Sequence, residues 1–216
     1  MIERDFIKRL IQQLAQVLAE IIFHKKNKDW QKAQMVIDVA GKQLLGLNPD
    51  LRDSLDGETL KEMFSYNNQI DHEKCLTLAM LFAEQANVYK NTKQSDTLFT
   101  SVLKKSIILF NSAFQNKEML QKESRQSAVY VCDELSVFDL DADILLEMHI
   151  LYTYVGALSK AEDTLYLLQQ KGLKDINLIA ENFYSGLLKK NDNELQKGNL
   201  PRDEILDGIK RFQNLS

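Results

Sequence analysis

Apolar residues recur every three or four positions along most of this chain, which is the spacing of amphipathic helices and not of strands. The clearest stretch runs from Phe6 to Ile22, where apolar side chains share one stripe and mainly charged or glutamine side chains take the opposite face. We predict a first helix that ends near His24, because the lysines that follow complement the negative end of a helix dipole. A second helix is predicted from Asp29 to Leu45.

The remaining helices are predicted from similar stripes together with capping and breaking residues. Asp71 is a good N-cap, Gly156 breaks a helix, and Gly172 has the position of a C-terminal glycine. Residues 67–68 are predicted to be a polar break, and residues 191–199 a polar linker. The predicted helical segments are residues 50–55, 57–66, 71–89, 95–114, 117–135, 139–154, 157–170, 175–188 and 202–212.

This pattern predicts an all-α fold, built as an array of antiparallel helical hairpins because the connections between sequential helices are short. We expect an irregular α-solenoid or bundle. The composition agrees, since 8 glycines and 2 prolines among 216 residues are too few for the turns of an all-β fold. Leucine, lysine, glutamine, glutamate and alanine are abundant, and all are good helix formers. A chain of this length buries a sizeable core without disulfides or metals.

The cysteines and the net charge limit which cellular compartments and which classes of partner we expect. Cys75 and Cys132 lie inside helical patterns without zinc-like spacing, so we predict buried reduced thiols and not a disulfide or ligand pair. The chain begins with charged residues unlike a signal peptide, and no apolar run approaches the roughly 20 residues that span a bilayer. We therefore expect a soluble cytoplasmic protein that does not bind membranes. A net charge of -4 argues against nucleic-acid binding.

One predicted helix pair carries a specific repeat pattern. Its apolar and small positions are Leu145, Met148, Tyr152, Gly156, Ala161, Leu165 and Leu168. That spacing resembles the tetratricopeptide repeat (TPR), in which a small residue at the turn and an alanine in the second helix let two helices approach closely. The stretches from Phe82 to Val102 and from Trp30 to Ala40 keep parts of the same register.

The opening residues Met1 to Ile7, continuing into Gln12 to Ala15, add a second resemblance. They resemble the start of an uncharacterised family of small helical proteins from Gram-positive bacteria. This resemblance implies TPR-like hairpins and a bacterial cytosol, with no assigned activity and no functional residues to transfer. We predict a single helical domain over residues 1–216. Within it we expect N-terminal helices at 1–66, TPR-like hairpins at 71–190 and a C-terminal helix at 200–216.

Three alternating acids have the spacing of the first ligands of a calcium loop: Asp139, Asp141 and Asp143. An EF-hand would then need glycine and a bidentate glutamate where this chain has Ile144 and Ile150. Helix capping and compensation of the helix dipole explain the acids at least as well. The wider acidic stretch between residues 133 and 147 either steers a basic partner or is a solvated loop and helix start.

The other reactive residue types form no catalytic pattern. His24, His72 and His149 are scattered, and the chain has neither a nucleophile elbow nor a glycine-rich phosphate loop. We therefore predict no catalytic, cofactor-binding or metal-binding residues. Tyrosines that the core does not use are candidates for a peptide groove. The aromatic and methionine positions expected mainly at helix interfaces are Met80, Phe82, Tyr89, Tyr152, Tyr154, Tyr166, Phe183 and Tyr184.

The apolar stripe of the first helix leaves three roles open. It packs on the second helix, forms a homodimer seam, or lies on a membrane surface. Its apolar positions approximate a heptad repeat at Ile7, Leu10, Leu14, Val17 and Ile21, as a seam requires. Its polar face mixes both signs of charge with many glutamines, unlike the basic face of a membrane-surface helix.

These observations favour a non-enzymatic helical-repeat protein that mediates protein or peptide interaction, because stacked hairpins create extended concave surfaces. The alternative is an enzyme or small-ligand receptor with a pocket between helices. An open groove lined by tyrosine, asparagine and lysine would favour the first function. A deep pocket with converging polar groups and perturbed acids would favour the second.

Overall fold

The computed structural model describes residues 2–213, and side chains for residues 9–212. The all-α prediction is confirmed: this part of the chain forms twelve α-helices and a single two-stranded hairpin. The helices are α1 (Ile2–Lys26), α2 (Trp30–Leu45), α3 (Pro49–Ser54), α4 (Gly57–Met63), α5 (His72–Asn91), α6 (Asp96–Phe114), α7 (Lys122–Leu135), α8 (Ala142–Val155), α9 (Leu158–Gln170), α10 (Ile176–Leu188), α11 (Asp192–Lys197) and α12 (Arg202–Gln213). The strands are β1 (Ser65–Tyr66) and β2 (Gln69–Ile70).

The predicted helix boundaries follow from local capping. The Asp29 carboxylate accepts a hydrogen bond from the Lys32 amide at 3.2 Å and begins α2. The Asp71 carboxylate does the same for α5, accepting from the Lys74 amide at 3.0 Å. Gly156 closes α8 with a φ of 80°, a left-handed conformation that costs glycine little.

The break predicted at residues 67–68 is the turn of an antiparallel β-hairpin. Ser65 pairs with Ile70 and Tyr66 with Gln69, so two residues connect the strands. Asn67 and Asn68 have φ values of 49° and 60°. Positive φ at both central residues is the geometry of the tightest hairpin turns, which asparagine tolerates better than most residues. The predicted break between helices is therefore confirmed, whereas the helical segment predicted at residues 57–66 was wrong at its end, because Ser65 and Tyr66 form a strand.

The linker predicted at residues 191–199 was wrong, because it contains the short helix α11. Asn191 and Glu194 form a capping box, in which the Glu194 amide donates to Asn191 Oδ1 at 3.0 Å and the Asn191 amide donates to Glu194 Oε2 at 3.3 Å. Leu195 is buried and gives this polar helix one apolar anchor. The segment predicted from residue 117 begins as the 3₁₀ turn Lys117–Met119, and α7 follows it.

The chain divides into two compact units, residues 1–137 and 138–216. Unit 1 contains α1 to α7 with the hairpin, and unit 2 contains α8 to α12. The boundary falls inside the range 71–190 that the sequence assigned to TPR-like hairpins.

Unit 1 is organised around α5, which is buried on nearly every side. Its most extensive packing is with α6, and the α1–α2 hairpin covers another face. A cluster of buried side chains joins α1, α2 and α5, comprising Ile21, Ala33, Ile37, Ala40, Leu81 and Val88. Small residues on α2 allow this close packing, which removes apolar area from water and stabilises the unit.

Two buried cationic side chains, Arg52 and Lys105, hold the short helix α3 in place within unit 1. Arg52 is 0% exposed, and its guanidinium donates to Asp38 at 3.0 Å and to Asp53 at 2.8 Å. Lys105 on α6 donates to the backbone carbonyl of Asp53 at 2.7 Å. That carbonyl belongs to the last turn of α3, where no intrahelical donor exists. Lys105 therefore caps α3 from another helix.

Unit 2 is built on the α8–α9 hairpin, with α10 packed most extensively on α12. The TPR-like positions of α9, Ala161, Leu165 and Leu168, are all buried. Gly198 packs against the side chain of Leu158, and its carbonyl accepts from the Ser159 amide at 3.1 Å. The segment after α11 is therefore tied to the start of α9.

Candidate functional site

A groove of about 370 Å³ runs between α8 and α10 in unit 2. Its volume lies within the range of small-ligand clefts, about 300–1,000 Å³. The lining is mainly apolar, with a few polar groups: Leu146, His149, Ile150, Thr153, Tyr154, Ile179, Asn182 and Phe183. We call this surface the α8–α10 groove.

The two walls of the groove are held by α9, which contacts both α8 and α10. Leu146 and Ile150 of α8 are partly exposed at the groove, whereas the buried positions of this helix are Leu145, Met148, His149, Leu151 and Tyr152. Residues three and four apart lie on one face of a helix, so α8 has one apolar face for the core and a second one for the groove. Tyr154 at the rim is 37% exposed.

His149 is the buried polar group of the α8–α10 groove. Its Nδ1 lies 2.9 Å from the Ala161 carbonyl oxygen, and a carbonyl only accepts, so Nδ1 carries the proton. The ring packs edge-on against Phe183, with centroids 5.0 Å apart. Burial lowers the pKa of His149, and the hydrogen bond to Ala161 opposes this shift. The imidazole is therefore neutral at pH 7 and fixed in one tautomer.

A second cavity of about 480 Å³ lies beside the β-hairpin in unit 1. Leu10 and Phe64 are buried in its apolar part, and the Asp71 amide donates to the Phe64 carbonyl at 2.8 Å to close the base of the hairpin. The described residues around it are Leu10, Met63, Phe64, Ser65, Tyr66, Gln69, Ile70, Asp71, Glu73 and Lys74. We call this space the hairpin cavity.

The hairpin cavity carries three charged side chains. Lys74 Nζ lies 3.1 Å from Asp71 Oδ2, so these two groups form an ion pair. Burial raises the pKa of Glu73, and the negative charge of Asp71 raises it further. Glu73 is therefore a partly buried acid beside apolar residues, and the ion pair of Lys74 with Asp71 does not neutralise its charge.

A hydrogen-bonded pair of polar side chains is buried where α9, α10 and α12 meet. The Tyr184 hydroxyl donates to Glu162 Oε1 at 2.7 Å, and the two residues are 1% and 9% exposed. Burial raises the pKa of Glu162, although the hydrogen bond from Tyr184 opposes this. Tyr184 also lines a smaller cavity of about 330 Å³ between α10 and α12.

The three alternating acids, Asp139, Asp141 and Asp143, have three different roles in the structure. Asp139 pairs with Lys171 at 2.6 Å, Asp141 is the N-cap residue of α8, and Asp143 lies in the first turn of that helix. Among the described residues, no group of three or more histidine, cysteine, aspartate or glutamate side chains is arranged to hold a metal ion.

The histidines and cysteines flagged in the sequence are not brought together. His72 Nδ1 lies 2.7 Å from the Ser112 carbonyl oxygen, and His24 lies 3.9 Å from Glu20 on its own helix. Cys75 and Cys132 are buried thiols, as predicted. Burial raises the pKa of Cys75 to about 12, so this thiol stays protonated and unreactive.

Most of the flagged aromatic residues belong to the core. The buried ones are Met80, Phe82, Tyr152, Phe183 and Tyr184. Tyr166 stacks on Phe212, with ring centroids 5.6 Å apart. Tyr154 and Phe183 line the α8–α10 groove, which no spacing argument in the sequence singled out.

The apolar stripe of α1 is largely used within the chain. Leu10, Leu14 and Ile21 are buried, and α1 packs on α2 and α5. The side chain of Ile7 lies outside the described residues. A homodimer seam through α1 stays a prediction, and it would have to use other α1 side chains, such as the exposed Phe23. No helix in residues 2–213 is long and apolar enough to cross a membrane.

The helices and clefts described above define an all-α protein with a mainly apolar groove in unit 2 and a polar-rimmed cavity in unit 1. The chain belongs to a family of unknown function (DUF6483), whose profile matches residues 1–216. No curated protein and no solved structure matches it.

Proposed function

We propose that this protein is a non-enzymatic, TPR-like helical protein of the cytoplasm in a Gram-positive bacterium, and that it binds a peptide segment of another protein. The observation that carries the proposal is the α8–α10 groove. Helices α8 and α9 carry the TPR-like pattern of the sequence, from Leu145 to Leu168, and the groove lies along the partly exposed residues of α8 next to the buried His149. Concave surfaces of stacked hairpins are generally used for binding.

The chemistry of the groove supports binding over catalysis. Its lining is mainly apolar, and its one titratable buried group, His149, is neutral and bound to a backbone carbonyl. A general base usually has a carboxylate or other group that orients it toward a substrate. Among the described residues His149 has no ion-pair partner, so it is suited to positioning and to hydrogen bonding.

A pull-down from native cytosol with mass spectrometry tests the proposal when groove and control variants are run together. Ile150→Ser places a hydroxyl in the apolar groove, and Leu167→Ser makes the same change on α9, where Leu167 is 43% exposed and outside the groove. We expect wild type and Leu167→Ser to retain the same partner and Ile150→Ser to lose it. Circular dichroism confirms that both variants fold. A partner set that Ile150→Ser leaves unchanged would contradict the proposal.

The hairpin cavity favours a second candidate function, a small-ligand receptor. Its partly buried Glu73 beside apolar Phe64 suits a ligand with an amine on an alkyl chain. In a titration followed by NMR, hexylamine should shift resonances around the cavity more than hexanol does. Glu73→Gln should remove the difference between the two compounds. Equal shifts from both compounds in wild type would rule out this ligand class.

A further inference from the structure

The α8–α10 groove contains a hydrogen-bond acceptor that the chain itself does not use. His149 donates from Nδ1 to the Ala161 carbonyl on α9, and among residues 9–212 no hydrogen bond reaches its Nε2. Because Nδ1 holds the proton of the neutral imidazole, Nε2 carries a lone pair and can only accept. The two ring nitrogens point in diverging directions, so Nε2 points away from the Ala161 carbonyl, and the ring lines the groove.

This acceptor lies at the base of the groove. His149 and Phe183 are 5% and 6% exposed, whereas the other described lining residues are partly or fully exposed. The hydroxyl of Thr153 does not offer a free donor, because it donates to the His149 carbonyl at 2.8 Å. A molecule that displaces water from the base must therefore supply a donor, since a buried acceptor left unpaired weakens binding.

The indole N–H of tryptophan is the protein group that meets this requirement best. It is a donor without an acceptor atom, and it belongs to a large apolar ring. Hydroxyl and amide side chains, like the peptide backbone, bring an oxygen that would be buried at the base without a donor. Lysine and arginine are also pure donors, but they carry a charge, and no described lining residue is an acid that would pair with it.

We infer that the α8–α10 groove binds a protein segment through a tryptophan side chain, whose indole N–H donates to His149 Nε2. This inference rests on the proposed function and names the anchor residue of the partner. The indole ring packs against Phe183 at the base and Ile150 on the wall, and contact between aromatic rings adds to the affinity. Tryptophan is among the residues that most often dominate the binding energy of protein interfaces.

Two short uncharged peptides provide the probe, each with a fluorescent label and measured by fluorescence anisotropy with the full chain. The first has one tryptophan between serines. In the second, benzothienylalanine replaces the tryptophan, so that a sulfur atom takes the place of the N–H group in a ring of nearly the same shape. We expect the second peptide to bind about tenfold more weakly, which corresponds to about 1.4 kcal/mol for an unpaired buried acceptor. Equal affinities would overturn the inference.

Two histidine variants locate the hydrogen bond. His149→Phe removes the acceptor and keeps an aromatic ring in the groove. His72→Phe makes the same change in unit 1, where Nδ1 of His72 also bonds to a backbone carbonyl, that of Ser112. We expect the difference between the two peptides to disappear in His149→Phe and to stay about tenfold in His72→Phe. Circular dichroism confirms that both variants fold. A tenfold difference that persists in His149→Phe contradicts the inference.

NMR of the wild-type chain gives a readout that needs no variant to fold. In a proton–nitrogen correlation spectrum of the histidine rings, the tryptophan peptide should shift the Nε2 resonance of His149 strongly. The benzothienylalanine peptide should shift it much less, because it donates no hydrogen bond. His24 and His72 serve as internal controls and should not move. An unchanged His149 Nε2 resonance at saturation with the tryptophan peptide would refute the inference.

The outcomes separate the inference from the proposed function. If both peptides bind equally and Ile150→Ser weakens both, the groove binds peptides, and the inference about the indole is wrong. If neither peptide binds, the inference is wrong, and the pull-down decides the proposed function by itself. N-acetyltryptophanamide is the third probe. If it binds as tightly as the tryptophan peptide, the groove is a receptor for a small indole, and both proposals are wrong.

Discussion

Gly208 on α12 lies at a point where the structure has no room for a methyl group. A Cβ atom added there would stand 2.8 Å from Glu162 Oε1 and closer still to the Tyr184 hydroxyl oxygen. These two groups form the buried hydrogen bond between α9 and α10 described above. We therefore expect Gly208→Ala to separate them or to displace α12.

The expected loss follows from three contributions. Forcing a methyl group into a packed site costs about 1–3 kcal/mol. Breaking a buried hydrogen bond to an ionisable group costs about 1.5–3 kcal/mol. Alanine stabilises a helix by about 1 kcal/mol relative to glycine, which offsets part of the loss. Together these contributions predict that the free energy of unfolding falls by about 1.5–5 kcal/mol.

Gly186 on α10 provides the matched control. No atom lies within 4 Å of the Cβ position there, so Gly186→Ala meets open space in the same unit. Only the helix-propensity gain applies, and we expect about 0.5–1 kcal/mol of added stability. The same substitution should therefore act in opposite directions at two glycines of one unit.

Urea unfolding followed by circular dichroism measures both changes. With two compact units the curve can show two transitions, and both variants should move the same one. Adding Tyr184→Phe to Gly208→Ala removes the clashing hydroxyl, so the double variant should be more stable than the sum of the single losses predicts. If Gly208→Ala is as stable as Gly186→Ala, the packing argument is refuted.

Three further predictions concern buried ionisable groups. Because burial raises the pKa of Glu162, its charged form destabilises the fold above that pKa; Glu162→Gln should be more stable than wild type at pH 7, by a margin that narrows toward pH 4.5. Burial lowers the pKa of His149, so as the pH decreases the unfolded chain binds a proton at this histidine before the folded chain does. The free energy of unfolding should therefore fall below about pH 6.5. His149→Gln should reduce this dependence of stability on pH. Lys105→Met leaves the last turn of α3 uncapped and should cost about 1–3 kcal/mol, whereas Lys104→Met at the neighbouring, less buried position should cost little. Urea unfolding measures the stability in each case. For Glu162 and His149, the same pH dependence of stability in variant and wild type would contradict the argument. For Lys105, an equal loss of stability in Lys105→Met and Lys104→Met would contradict it.

The helices that the sequence predicted well are those with both an apolar stripe and a terminal signal. Asp29 and Gly156 mark the ends of α2 and α8 because the capping interaction is local and needs no knowledge of the rest of the fold. The α8–α9 hairpin was predicted for the same reason. Its turn glycine and its buried alanine are both set by residues close in the sequence.

The two missed elements are short and polar. In α11 the capping box of Asn191 and Glu194 was present in the sequence, followed by a single apolar anchor, Leu195. That signal was readable, but the polar composition favoured a linker. In the hairpin, the pair Asn67 and Asn68 is a turn signal flanked by strands of only two residues each, too short to show alternation.

The candidate sites were beyond prediction because they depend on contacts between distant segments. The buried guanidinium of Arg52 donates hydrogen bonds to Asp38 and Asp53 and lies 5.9 Å from the ring of Phe82 on α5, and no local sequence pattern records these contacts. Likewise, nothing in the sequence distinguishes Ile150 and Ile179 from the other apolar residues of their helices. They line a groove because α9 holds α8 and α10 apart, and that separation is a tertiary property.

The burial of both cysteines has a practical consequence for spectroscopy. Cys75 and Cys132 are the 2 cysteines of the whole chain, and both are enclosed in unit 1. A cysteine introduced on an exposed side chain, such as Asn182 at the groove, should therefore be the one thiol that reacts quickly with a maleimide dye. The native sequence can then carry a single fluorescent or spin label at the α8–α10 groove without any background substitution.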